Sequence, residues 1–219
     1  MNKTEEEEED DMDIKVILVG ETGTGKTSLI NTSIGLEFQE KIESSQASSI
    51  IQKKMIINNK QYNINLWDTI GQEEYRSLTK IFMKDSKIVI FVYDITRLKS
   101  FELLEFWFNS TKEVLGDGPI IGIVGNKEDL YFQAKVTDDM IEEYSNKKGV
   151  PYQLTSAKTP KSFNDFLEKL VISYLEKKEG VVDNKKNDGI KLEKEKKPKK
   201  KKKMVLIYYF HFYFLLYKL

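Results

Sequence analysis

Apolar positions along this chain follow two periods, and the two alternate. Residues 14–19 form an apolar run broken only by Lys15, and residues 88–92 and 120–124 are continuous apolar runs. Short unbroken runs of this kind predict strands buried on both faces, as in a parallel sheet. Residues 50–57 and 61–66 flank Asn58-Asn59-Lys60. Adjacent asparagines tolerate positive φ, which predicts a tight hairpin. In the second arm Tyr62, Ile64 and Leu66 alternate with Asn63 and Asn65, giving one apolar and one polar face. Between the strands the spacing changes to the helical one. Helices are predicted over 26–33, 73–80, 100–115 with Ser100 as cap, 138–147 and 161–178. Phe101, Leu104, Trp107 and Phe108 share one face of the third, which reads as core before it reads as a ligand surface. A short strand is expected at 152–154 after the Gly149-Val150-Pro151 turn. The fold class that follows is α/β: a doubly wound, six-stranded, mostly parallel sheet with one antiparallel edge strand and helices on both faces.

Charge divides the chain further. The formal net charge is zero over 219 residues, but residues 5–13 are almost all acidic and 194–203 almost all basic. Such runs are ordinarily solvated tails. The expected organisation is an acidic N-terminus (1–13), one domain (14–178), a lysine-rich linker (179–203) and an apolar tail (204–219). The balance itself argues neither for nor against nucleic acid, and no motif calls for a nucleic-acid partner. Cysteine is absent, which excludes disulfides, thiolate metal sites and thiol catalysis. The acidic start lacks the basic and apolar regions of a signal peptide.

The chemistry begins at Gly20-Glu21-Thr22-Gly23-Thr24-Gly25-Lys26-Thr27, which reads G-x-x-x-x-G-K-T between a strand and a helix. That context makes it a phosphate-binding loop (P-loop). Glycines let backbone N–H groups of residues 22–28, Ser28 included, converge on an anion at a helix N-terminus. Lys26 adds a charge for the outer phosphates, and the Thr27 hydroxyl suits Mg²⁺, which takes hard oxygen ligands. The motif by itself implies a nucleoside triphosphate and leaves the base open.

Two further segments narrow it. Asp68 ends a strand, 41 residues beyond Thr27, where a carboxylate can hold Mg²⁺ through water. Gly71 can offer an unobstructed N–H to a terminal phosphate, and Gln72 can orient a water for in-line attack. Asn126-Lys127-Glu128-Asp129 reads N-K-x-D. The Asp129 carboxylate can accept both the ring N–H and the exocyclic amine of guanine, a donor pair adenine lacks. Asn126 can bond the other edge and tie this loop to the P-loop, while the Lys127 stem can lie over the ring. Ser156-Ala157-Lys158, after the last strand, can place the Ala157 N–H near the guanine oxygen. A P-loop kinase or ATPase is the reading that Asp129 disfavours.

In this order and spacing the motifs resemble those of Ras-superfamily small GTPases. Residues 64–78 and Val92-Tyr93-Asp94-Ile95-Thr96 with Ser100-Phe101 are most similar to the Rab branch. The resemblance covers residues 13–178. It implies a GTP/GDP-binding, Mg²⁺-dependent switch that hydrolyses GTP slowly without an activating protein and regulates vesicle traffic. It also implies an exchange factor, a GTPase-activating protein and effectors as partners. The expected location is cytoplasmic, with peripheral attachment to endomembranes as an option. By the same resemblance Phe38 lies over the guanine, and Ser45 stands where a Mg²⁺-ligating threonine is usual. No arginine stands out as placed to act in cis.

Departures from the pattern are as informative. Ser45-Gln46-Ala47-Ser48-Ser49-Ile50 replaces T-I-G-x-[DE]-F in the effector-contacting loop, and Ile70 stands where alanine is usual. They keep open a second reading, a guanine-nucleotide-binding scaffold with negligible hydrolysis. The usual C-terminal prenylated cysteine is missing. The apolar tail admits three readings: an anchor or interfacial segment whose lysines meet anionic lipid, a partner-binding tail, or translated non-coding sequence. At sixteen residues (204–219) it falls short of the roughly 20 a spanning helix needs.

Overall fold

A computed structural model describes residues 12–40, 49–69 and 76–179. In chain order these form β1 (Asp13–Val19), α1 (Lys26–Ser33), β2 (Ser49–Ile57), β3 (Lys60–Asp68), α2 (Arg76–Met83), β4 (Ile88–Asp94), α3 (Leu98–Glu102), α4 (Leu104–Leu115), β5 (Ile120–Asn126), a 3₁₀ segment (Glu128–Gln133), α5 (Asp138–Lys148), β6 (Tyr152–Leu154) and α6 (Lys161–Glu179). The six strands make one sheet in the order β2-β3-β1-β4-β5-β6. β2 runs antiparallel to β3, and every other pair is parallel.

The two-residue side-chain period explains why the central strands are apolar throughout. In β1, Ile14, Val16 and Leu18 face one core while Ile17 and Val19 face the other. In β4, Ile88, Ile90 and Val92 alternate in the same way with Val89, Phe91 and Tyr93. The first core is closed by Leu29 and Ile30 of α1 and by Phe163, Phe166, Leu167 and Leu170 of α6. The second is closed by Met83, Leu104, Trp107 and Ile141 from α2, α4 and α5. Lys15, the polar break in β1, lays its amine 3.9 Å from the centroid of the Trp67 ring and donates to the Lys84 carbonyl at 2.8 Å.

The hairpin turns at Asn58 (φ 51°) and Asn59 (φ 61°), with Ile57 paired to Lys60. Both central residues have positive φ, as the sequence predicts for a right-twisted two-residue turn. The predicted 73–80 helix appears as α2 at Arg76–Met83; residues 73–75 lie outside the described part. One expectation fails. Ser100 does not cap a helix, because Arg97 occupies the N-cap of α3. The Ser100 hydroxyl instead turns inward, accepting the Asp94 N–H at 3.0 Å and donating to the Arg97 carbonyl at 2.7 Å. The predicted single helix is also divided, with Leu103 separating α3 from α4. Capping favours a serine at a helix start, but here burial and a strand-end amide outcompete that role.

The parallel strands β1, β3, β4, β5 and β6 end at one edge of the sheet, where ligands of doubly wound folds bind. The P-loop, Asp68, Asp94 and N-K-x-D all follow or end those strands.

Candidate functional site

The loop after β1 turns back on itself before α1 begins. Gly23 (φ 71°) and Gly25 (φ 91°) take left-handed conformations that a Cβ would oppose. The Thr24 hydroxyl closes the loop by donating to the Glu21 carbonyl at 2.9 Å. Lys26 is 5% exposed. Its amine lies under the loop, donating to the carbonyls of Gly20 (2.8 Å) and Glu21 (3.0 Å). Burial lowers its pKa to about 8; Asp68 and Glu21 pull it back up, and the charge of Arg97 lowers it further. Among the described residues its partners are two carbonyls, and a nearby anion would favour its charged form against the cost of burial.

Thr27, in the first turn of α1, donates to the Asp68 carboxylate at 2.6 Å. Their convergence across 41 residues sets a hydroxyl oxygen and a carboxylate at one point. With phosphate oxygens added, that all-oxygen set suits Mg²⁺.

The base end is built from β5 and the loop after β6. Asn126 is 1% exposed and donates its amide to the Thr24 carbonyl at 2.8 Å, tying N-K-x-D to the P-loop. A Cβ on Gly25 would lie 2.2 Å from that amide nitrogen, so the contact requires glycine. The Asn126 Oδ1 and the neighbouring Thr155 hydroxyl are buried with no hydrogen-bond partner among the described residues. Buried polar atoms are nearly always paired, so these two leave hydrogen-bonding capacity at this strand edge that a polar ligand could use.

Asp129 is held from both sides. Ser156 donates to its Oδ1 at 2.6 Å, and Lys158 lies 3.0 Å from Oδ2. Burial pushes this carboxyl up, but the bonds from Ser156 and Lys158 outweigh it and hold it below the ordinary carboxylate range. Asp129 therefore stays an acceptor. Ala157 is buried between its two neighbours in sequence. The Lys158 amine also lies 5.5 Å from the centroid of the Phe38 ring, which brings Phe38 to the same end of the site. Phe38 and Ser28 line one shallow cavity with Asn31, Thr32 and Leu36.

The structure thus brings together Thr22, Gly23, Thr24, Gly25, Lys26, Thr27, Asp68, Asn126, Lys127, Asp129, Ser156 and Lys158 along one sheet edge. Ser45, Ile70, Gly71 and Gln72 lie outside the described residues. Two further residues at this edge belong to none of the candidate site motifs. Asp94 ends β4, 1% exposed, and its Oδ2 takes Lys127 at 2.7 Å and Arg97 at 3.2 Å. Arg97 in turn donates to the Thr22 carbonyl at 2.6 Å, so an arginine of this chain does reach the P-loop. A carboxylate at the ligand-facing end of a parallel strand was the available signal.

Comparison with known proteins identifies the family. The Ras family model matches residues 15–176. Ras-related protein Rab-21 of Geodia cydonium is 38% identical over 162 residues, covering 74% of this chain and 71% of that protein. Human Ras-related protein Rab-21 is 36% identical over 151 residues, 69% of this chain and 67% of that protein. Human Ras-related protein Rab-7b is 31% identical over 185 residues, 83% of this chain and 92% of that protein.

Proposed function

Because this chain belongs to the Ras family, as a Rab-like small GTPase that binds guanine nucleotide and hydrolyses GTP, we propose that the sheet edge just described holds the nucleotide. In this reading Asp129, Asn126 and Ala157 read the guanine, and Phe38 and Lys127 flank it. Backbone amides of residues 22–28 and the Lys26 amine take the phosphates. Thr27, Asp68 and Ser45 would hold Mg²⁺, which when bound neutralises phosphate oxygens. The observation that carries the assignment is the Asn126–Thr24 bond beside the orphaned Asn126 Oδ1 and Thr155 hydroxyl. One residue joins the base loop to the phosphate loop and keeps a free acceptor between them.

The chain's own residues then divide the reaction. Asp129, kept ionised by Lys158 and Ser156, selects the base. Lys26 and the loop amides stabilise charge on the phosphate oxygens as the terminal bond breaks. Gln72 orients the attacking water. Ser45 and Gly71 contact the terminal phosphate in the GTP state, and their release after hydrolysis relaxes the two loops. The protein works in vesicle traffic, as Rab-type GTPases do, and family membership brings regulators and effectors with it. We assign it a cytoplasmic location with peripheral attachment to endomembranes. No described helix is long and apolar enough to cross a membrane. Nothing in the relatives favours the negligible-hydrolysis scaffold.

The test is a competition. Purified protein loaded with a fluorescent GDP analogue should release it to GTP and not to ATP, and prebound GTP should turn over to GDP. Lys26→Ala should lose the nucleotide. Equal displacement by ATP, or tight binding retained in Lys26→Ala, overturns the assignment.

A further inference from the structure

Two peptide units of the P-loop are oriented from outside the loop, by Asn126 at the end of β5 and by Arg97 at the N-cap of α3. A trans peptide places its C=O and the following N–H on opposite sides. Asn126 takes the Thr24 carbonyl outward, which turns the Gly25 N–H the other way. Arg97 does the same to the Thr22 carbonyl at 2.6 Å, which turns the Gly23 N–H away from the arginine. The guanidinium lies along the outer side of the loop; a Cβ on Gly23 would meet its atoms at 3.7–3.9 Å. The chain contains two arginines, Arg76 and Arg97, so a planar fork at this point is a scarce resource.

Arg97 is itself held. Asp94 Oδ2 sits 3.2 Å from its Nε, and Oδ1 is pinned by the Thr96 N–H (2.9 Å) and hydroxyl (2.7 Å). The same Oδ2 takes the Lys127 amine at 2.7 Å. One carboxylate, 1% exposed, therefore joins a cation that grips the phosphate loop to a cation of the guanine loop. Lys127 adopts φ 69°, a left-handed conformation unusual for a residue with a side chain, and this bond helps hold it there.

We propose that Asp94 and Arg97 form a bracket that positions the Thr22–Gly23 peptide for the nucleotide's phosphates and couples it to Lys127, so that the pair sets how long the nucleotide stays bound. Arg97 is a positioning residue: it bonds a backbone carbonyl and an aspartate, and acts on the ligand through the loop. The inference rests on the guanine-nucleotide reading and adds a control on residence time to it.

The experiment measures release of a fluorescent GDP analogue from the full-length protein, chased with excess GDP. A hydrogen bond from a charged donor is worth about 1.5 kcal/mol or more, so Arg97→Ala should speed release about tenfold. Asp94→Asn should do nearly the same. Arg97→Lys keeps the charge and a donor but not the fork, and should fall between Arg97→Ala and wild type. Because the two residues act as one device, the double variant should release no faster than about the faster single. A passive packing role would not give partial rescue by lysine or such non-additivity. Release within twofold of wild type in both Arg97→Ala and Asp94→Asn overturns the bracket, as does an Arg97→Lys no better than Arg97→Ala, or a double variant whose effects multiply. If Arg97→Ala does not fold, Arg97→Lys and Asp94→Asn carry the comparison. A wild-type protein that retains no GDP analogue overturns the nucleotide reading itself, a result distinct from unchanged release in the variants.

Discussion

Two glycines two residues apart in the same loop should respond very differently to one added methyl. Gly23 (φ 71°) and Gly25 (φ 91°) are both left-handed, so alanine costs about 1–2 kcal/mol of backbone strain at either. Their surroundings differ. At Gly23 a Cβ finds its nearest neighbours, the Arg97 guanidinium atoms, at 3.7–3.9 Å, an ordinary contact. At Gly25 it would lie 2.2 Å from the Asn126 amide nitrogen. That amide must leave, which breaks its 2.8 Å bond to the Thr24 carbonyl and strands polar groups that are otherwise buried. The added cost is about 1–3 kcal/mol, the desolvation penalty of an unpaired buried group. The total for Gly25→Ala is then about 2–5 kcal/mol, and part of it falls directly on Asn126, the side chain proposed to contact the base. At about 1.4 kcal/mol per tenfold, Gly23→Ala should weaken GDP affinity roughly tenfold, and Gly25→Ala about thirtyfold or more. Equilibrium titration with a fluorescent GDP analogue, at fixed Mg²⁺, measures both. Equal losses in the two variants would refute the argument that Asn126 closes the loop through Gly25.

Three further outcomes follow from the same geometry. Gly122→Ala places a Cβ 2.7 Å from Leu170 Cδ1 and 3.0 Å from the Phe166 ring, overpacking the β5–α6 contact by about 1–3 kcal/mol; thermal melting of the GDP-bound protein should drop by several degrees, and an unchanged midpoint would show that α6 yields freely. At Asp94 burial raises the carboxyl pKa, but bonds from Lys127 and Thr96 and the Lys127 charge outweigh it and hold the folded value below the usual range. Its stabilisation is therefore complete above the unfolded pKa of about 3.9 and disappears as pH falls through the folded value, so Asp94→Asn should flatten the fall in melting temperature below about pH 4, and an acid limb identical to wild type would refute this. Ile70, where the family usually has alanine, stands two positions before Gln72, the residue proposed to orient the attacking water; single-turnover hydrolysis should be faster in Ile70→Ala than in wild type, and equal rates would remove Ile70 from the mechanism.

Most of the fold was legible because its signals are local. Short apolar runs, broken in β1 only by Lys15, announced the buried strands β1, β4 and β5, and paired asparagines announced the hairpin. The proposed site's motifs were legible for the same reason: G-x-x-x-x-G-K-T and N-K-x-D are contiguous, and each residue type suits the proposed ligand. What escaped was relational. The 3₁₀ segment at Glu128–Gln133 has no sequence period of its own and forms because Lys127 turns left-handed and its carbonyl accepts the Leu130 N–H at 2.8 Å. Ser100 carried a cap signature but was captured by the Asp94 amide, a partner that exists only once β4 has joined the sheet.

Arg97 is the sharpest case. Its acceptor at the P-loop is a backbone carbonyl, 75 residues away, and a carbonyl carries no residue identity to find in a motif. A pattern search can recognise Gly23 because the loop needs its φ, but it cannot recognise what turns the preceding peptide plane. The same holds for Asn126: its proposed role is to read guanine, yet its amide is spent on the Thr24 carbonyl, and among the described residues only its oxygen remains unpaired. Two alternate peptides of the loop are thus set by residues that belong, by sequence, to other parts of the site. Phosphate affinity in this chain should therefore be sensitive to changes at β4 and β5 ends that touch no phosphate. The loop's own residues make the cradle possible; Asp94, Arg97 and Asn126 decide which way its amides point.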